Sequence, residues 1–142
     1  AKVKHPGRTA TTHFWFPGHL VPLVEIVIGQ ETDPAVADRL KAILLDWDKA
    51  PVIVKKDLPG QLANRILQAV IREASYIVES GLATAEDVDT AIVNATGNPM
   101  GLIAMAKGIE PDALAARLEG LAEKFKKEIF KPTAMIKEGQ YR

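Results

Sequence analysis

Apolar residues fall first in short continuous runs and then at every third or fourth position, so the chain changes character just after Val54. Thr9 to Phe16 and Leu23 to Ile28 are rich in Thr, aromatic and β-branched residues and are separated by Pro17-Gly18 and Pro22. They read as two short strands with a tight connection. Asp33-Pro34 is a helix start, with Asp33 as N-cap and Pro34 at the first helical position. Val36, Leu40, Ile43, Leu44 and Trp47 recur at helical spacing and predict one apolar stripe. Pro51 ends that helix, and Pro51-Val52-Ile53-Val54 reads as a third strand.

The rest is helical in pattern. The spacing predicts a helix from about Leu62 to Ser80, with Leu62, Ile66, Val70, Ala74 and Ile77 as its buried face and Gly81 as its αL cap. Thr84 begins a second helix with a capping-box-like sequence, and Gly97-Asn98-Pro99 closes it. A short apolar helix spans Leu102 to Ala106. An amphipathic one runs from Pro111 to Lys127 with Leu114, Leu118, Leu121 and Phe125 on one side. The tail from Ile129 to Arg142 has no clear period. The expected fold is mainly α: a small α/β piece of two or three short strands and a helix over residues 1–56, then a helical module of about four helices over 57–142.

Composition narrows the function. Of 142 residues, 47% are apolar and 25% charged, ordinary values for a globular protein. Lys plus Arg balance Asp plus Glu at 18 each, so no strong field draws the chain to nucleic acid or membrane. No cysteine is present, which removes thiolate chemistry and suits a cytoplasmic setting. No apolar run approaches the ~20 residues of a membrane span. The chain starts at Ala1 rather than Met, and residues 1–8 read as the middle of a longer polypeptide.

One charged residue breaks the apolar run of the second strand. Glu25 lies within Leu20 to Ile28, twelve positions after His13. A buried carboxylate loses several kcal/mol of solvation unless something pairs with it. If neighbouring strands bring His13 to it, the carboxylate orients the imidazole and the pair becomes a general-base dyad. By residue type alone, His13 can equally be a satisfied structural histidine. His5 and His19 have no partners at metal-ligand spacing and read as loop residues, so no metal site is expected. Phe14, Trp15 and Phe16 are of a type that stacks on a ligand, but two of them are expected in the core.

The motifs then converge. Thr12-His13-Phe14, Leu23-Val24-Glu25-Ile26-Val27, Lys56-Asp57-Leu58-Pro59-Gly60, Asn64-Arg65 and Glu73-Ala74 occur in order, followed by Gly81 to Asp89 and Pro99-Met100-Gly101. This series resembles the 3-hydroxyacyl-CoA dehydrogenase family. The family's pattern is Gly-x-His-Phe-Phe-Asn-Pro, Leu-Val-Glu-Val, Lys-Asp-x-Pro-Gly-Phe-x-x-Asn-Arg and Pro-Met-Gly-Pro. The chain departs from it at Phe16 (usually Asn), Gln61 (Phe) and Leu102 (Pro).

The resemblance implies NAD-dependent oxidation of the 3-hydroxyl of an acyl-CoA, of the fatty acid β-oxidation type. It makes His13 the catalytic base, Glu25 its orienting carboxylate and Asn64 a substrate-binding residue. It implies a helical domain of the 6-phosphogluconate dehydrogenase C-terminal-like type that forms a homodimer. The family binds NAD through Gly-x-Gly-x-x-Gly, which does not occur in this sequence. Residues 1–56 therefore read as the last strands and helix of a truncated NAD-binding domain, 57–142 as the helical substrate and dimerisation domain, and the isolated chain as inactive. Two other readings stand beside this one: a related dehydrogenase acting on another 3-hydroxy acid such as carnitine, and a non-catalytic helical dimerisation module.

Overall fold

Successive side chains on a strand point to opposite faces of the sheet, and the strand around Glu25 uses this to separate packing from chemistry. The structure, a computed structural model, describes residues 3–141; Ala1, Lys2 and Arg142 lie outside these, and with them part of the reading of segment 1–8. The chain forms two compact units, Ala1–Leu62 and Ala63–Arg142. The turn through 55–62 stays with the first unit, where the Leu62 N–H donates to Glu25.

In the first unit a 3-10 turn, Pro6–Arg8, precedes β1 (Thr11–Phe14), β2 (Leu23–Val27), α1 (Pro34–Asp46) and β3 (Ala50–Val54). β2 is central, antiparallel to β1 and parallel to β3. A parallel pair needs a crossover connection, and α1 supplies it. Its start follows the expected chemistry: the Asp33 carboxylate accepts from the Ala35 N–H at 3.0 Å, with Pro34 in the first turn. Val24 and Ile26 pack against Ala37 and Leu44 of α1. The apolar stripe is narrower than its spacing suggests. Ile43 and Trp47 are exposed, because α1 meets the sheet along Ala37, Leu40 and Leu44, and Trp47 is already the C-cap residue. Lys49 ties down the β1–β2 connection by donating to the Gly18 carbonyl at 2.5 Å.

The second unit contains α2 (Ala63–Glu79), α3 (Ala85–Thr96), α4 (Leu102–Ala106), α5 (Pro111–Phe125) and α6 (Ala134–Lys137), with a 3-10 turn at Glu128–Phe130. Gly81 follows α2 at φ +72°, and Thr84 caps α3 by accepting from the Asp87 N–H at 3.1 Å. Leu114, Leu118 and Leu121 of α5 are buried together with Ile71, Ala74, Val88 and Ile103. The buried face of α2 is the expected one only in its second half, where Ala74 is buried and Ile77 packs against the core. Leu62, Ile66 and Val70 are exposed, and the inward arc runs through Leu67, Gln68, Ile71, Ala74 and Ser75. α2 carries apolar residues on two sides, and periodicity alone does not say which side meets the bundle. The tail also joins the core: Phe130, Met135, Ile136 and Tyr141 are buried. Helical pieces of three and four residues are too short to show a period, so the sequence pattern conceals them.

The Pro-Met-Gly segment is explained by one carboxylate. Asp89 of α3 accepts from the Ile103 N–H at 2.8 Å and the Ala104 N–H at 3.0 Å. It thereby satisfies donors that a helix start leaves open. A Cβ on Gly101 would overlap this carboxylate. Leu102, where the family has Pro, takes the first helical position and is buried. Gly101→Ala is expected to lower stability by roughly 1–3 kcal/mol through overpacking, read from the urea midpoint; an unchanged midpoint would contradict this packing.

Candidate active site

The register of the sheet puts His13 directly opposite Glu25. α1 covers the face carrying Val24 and Ile26, so Glu25 points to the other face, the one His13 shares across the strand pair. Two strands of ordinary composition thus bring a titratable pair together without a loop. Glu25 is fully buried (0% exposed), whereas the His13 side chain is 33% exposed.

Burial of a carboxylate is tolerable when donors replace its water. Here His13 Nδ1 lies 2.7 Å from Glu25 Oε2, Trp15 Nε1 donates to the same oxygen at 3.3 Å, and the Leu62 backbone N–H donates to Oε1 at 2.9 Å. An ionised carboxylate only accepts, so Nδ1 must carry the proton toward it. That leaves Nε2, in the neutral ring, as the atom with a free lone pair. The shortness of the His13–Glu25 contact fits a charge-assisted bond. Chemically, the arrangement is an oriented imidazole able to take up a proton at Nε2 beside a fixed negative charge.

Trp15 and the Leu62 amide are partners of Glu25 beyond the one its sequence context points to. Trp15 had a readable signal, since it follows His13 by two positions and shares its side of the extended chain. The Leu62 amide had none. It depends on a turn with Gly60 at φ +77° and Gln61 at φ +39°. The expectation that two of the three aromatics are core is not met: Phe14 and Phe16 are exposed, Phe16 at 91%, and Trp15 is half-buried. Their strand lies at the edge of the sheet, where Phe14 faces away from Glu25. His5 and His19 are exposed. Among the described residues no group of three His, Cys, Asp or Glu side chains is gathered as a metal site.

Asn64 belongs to the second unit, in the first turn of α2, and is half-buried. Its side chain makes no hydrogen bond among the described residues. The neighbouring Arg65 stacks its guanidinium 3.8 Å above the centre of the Phe125 ring, a cation–π contact that anchors this turn to α5.

The first unit thus carries a partly exposed imidazole aligned by a buried carboxylate, an arrangement able to take up a proton, and a helical unit follows it. Residues 60–140 match the 3-hydroxyacyl-CoA dehydrogenase C-terminal domain, and residues 1–58 match the NAD binding domain of the same enzymes. The chain belongs to the 3-hydroxyacyl-CoA dehydrogenase family, whose members are NAD-dependent oxidoreductases. It is 35% identical over 112 residues to the 5-formyl-3-hydroxy-2-methylpyridine 4-carboxylate 5-dehydrogenase of Mesorhizobium japonicum, covering 75% of this chain and 36% of that protein. It is 41% identical over 88 residues to the L-carnitine dehydrogenase of Pseudomonas putida, covering 62% of this chain and 27% of that one. The solved 3-hydroxybutyryl-CoA dehydrogenase of Escherichia coli superposes with a TM-score of 0.86 at 31% identity, covering 97% of this chain and 29% of that one. The chain thus spans about a third of the length of these curated relatives. No helix among the described residues is long and apolar enough to cross a membrane.

Glu25→Leu removes an acceptor and leaves the Leu62 N–H without it. The expected loss is roughly 1–3 kcal/mol for each buried donor left unpaired, measured by urea unfolding. A variant as stable as the parent would show that the carboxylate contributes nothing to the fold.

Proposed function

We propose that this chain supplies the proton-transfer residues of an NAD-dependent dehydrogenase that oxidises the 3-hydroxyl of an acyl-CoA, in the manner of fatty acid β-oxidation. Turning the alcohol into a ketone removes a hydride from carbon 3 and a proton from its oxygen. NAD, when bound, accepts the hydride. His13 takes the hydroxyl proton at Nε2. Glu25 keeps Nδ1 protonated and the ring aligned, and its charge offsets that of the imidazolium as it forms. Trp15 and the Leu62 amide hold the carboxylate in place. Asn64, in the role the family pattern gives it, binds a substrate oxygen near the reacting carbon. The observation that carries this reading is the 2.7 Å contact between His13 and a carboxylate with no exposure.

The residues present fit a partner of NAD chemically, since an oriented base is what hydride abstraction from an alcohol requires. A phosphate-binding glycine turn is not part of the sequence. The 142 residues are therefore inactive alone and act together with a Gly-x-Gly-x-x-Gly domain. Mixed with NAD and (S)-3-hydroxybutyryl-CoA, the isolated chain is expected to give no absorbance of reduced nicotinamide, and the domain-complemented enzyme to give it. In the complemented enzyme His13→Ala should lower kcat by roughly 10²–10⁴-fold. Turnover by the isolated chain, or full activity of His13→Ala, would overturn the proposal.

The similarity to L-carnitine dehydrogenases favours a second reading, in which the substrate is a smaller 3-hydroxy acid. The exposed Phe16, three residues from His13, replaces the Asn of the acyl-CoA enzymes and leaves room for that change. Turnover of L-carnitine but not of 3-hydroxybutyryl-CoA would select it. The side of α2 carrying Ile66 and Val70, 59% and 38% exposed, supports association of two copies through the helical unit in a cytoplasmic dimer. Ile66→Glu should then convert a sedimenting dimer to a monomer; an unaltered sedimentation profile would count against that surface.

A further inference from the structure

Trp15 follows β1 and keeps to its ladder: its backbone N–H donates to the Leu23 carbonyl at 3.4 Å. Two positions after His13, its side chain lies on the same side of the extended chain. The half-buried indole then donates through Nε1 to Glu25 Oε2 at 3.3 Å, the oxygen that His13 Nδ1 approaches to 2.7 Å. The family pattern has Phe at this position, a side chain with no donor to offer. Here a second N–H competes for the oxygen that aligns the base.

A hydrogen bond to an ionised carboxylate stabilises its negative charge and makes it less basic. The less basic the carboxylate, the less it stabilises an imidazolium beside it. Trp15 therefore acts on the charge of His13 through Glu25. Opposite Glu25 in the sheet stand His13 on β1 and Val52 on β3, and the turn through 55–62 brings the Leu62 amide to the other oxygen. α1 covers the opposite face. The charged residues of the turn, Lys55, Lys56 and Asp57, are exposed, where salt and water screen them.

We propose that Trp15 is a positioning residue that sets the acid limit of the His13–Glu25 dyad. By occupying part of Oε2 it keeps the imidazole neutral, and so able to accept a proton at Nε2, further into acid than the two residues alone would reach. The proposal rests on His13 acting as the base in the reading above and deepens it. In the oxidation the hydroxyl proton passes to Nε2 as hydride leaves carbon 3 for NAD. Trp15 neither gains nor loses a proton; its bond to Oε2 slackens as Nδ1–H tightens on the same oxygen.

The test is the pH profile of kcat/KM for 3-hydroxybutyryl-CoA in the complemented enzyme. The parent is compared with Trp15→Phe and with Trp15→benzothienylalanine, which keeps the shape of the indole and puts sulfur in place of its N–H. With one donor gone, Glu25 holds the imidazolium more firmly, so the acid limb should move to higher pH by about half to one pH unit in both variants. A side chain that only packs would lower the plateau of the profile and leave the limb in place. A limb that stays, or moves to lower pH, in the benzothienylalanine variant would overturn the Trp15 assignment while the base reading stands. A parent profile with no acid limb would overturn both. A measurement on the unaltered 142-residue chain covers the case of variants that do not fold. The indole N–H proton of Trp15 should move to higher field over the pH range in which the His13 ring becomes charged, while that of the exposed Trp47 stays in place. A Trp15 resonance indifferent to the charge of His13 would mean that no oxygen is shared, and would also overturn the assignment.

Discussion

A carboxylate with no exposure has to be surrounded by donors, and around Glu25 that requirement organises the first unit. The imidazole of His13 and the indole of Trp15, from one extended stretch, and the backbone at Leu62, from a distant turn, are drawn to the same two oxygens. The desolvation energy at stake is several kcal/mol, comparable to the net stability of many small domains. The pairing is therefore as much a condition of folding as of chemistry. It favours the His13 tautomer protonated at Nδ1 and ties the turn at Leu62 to β2.

The carboxylate could be read from the sequence because it interrupts an apolar strand. Val24, Glu25, Ile26 and Val27 are all buried, as expected of a central strand covered on both faces. Any polar residue there had to find a partner, and the antiparallel register with β1 then placed His13 opposite. What the sequence concealed was orientation. Ile66, Val70 and Trp47 obey helical spacing yet are exposed, since amphipathic spacing identifies a face without saying what it meets. The backbone donor at Leu62 and the burial of Gln68 were hidden for a related reason. Each depends on where a turn or a helix face comes to rest after packing.

Short polar motifs in the second unit also have structural causes. Gly101 gives way to the Asp89 carboxylate, which holds the first donors of α4, and Arg65 rests on Phe125. In Asn64-Arg65 two kinds of residue adjoin: a side chain that makes no hydrogen bond among the described residues, and one that holds the turn against α5. The same helix carries Gln68 one turn later, so the inward side of α2 begins with amides before it turns aliphatic at Ile71.

The proton position on His13 is the most direct measure of the central claim. Nitrogen-15 spectra of the selectively labelled imidazole distinguish the two neutral tautomers without any assay of activity. With Glu25 accepting from Nδ1, the neutral ring should be protonated at Nδ1 and bare at Nε2. A neutral ring carrying its proton at Nε2 would mean that Glu25 does not hold the base in a reactive form, and the account would be contradicted.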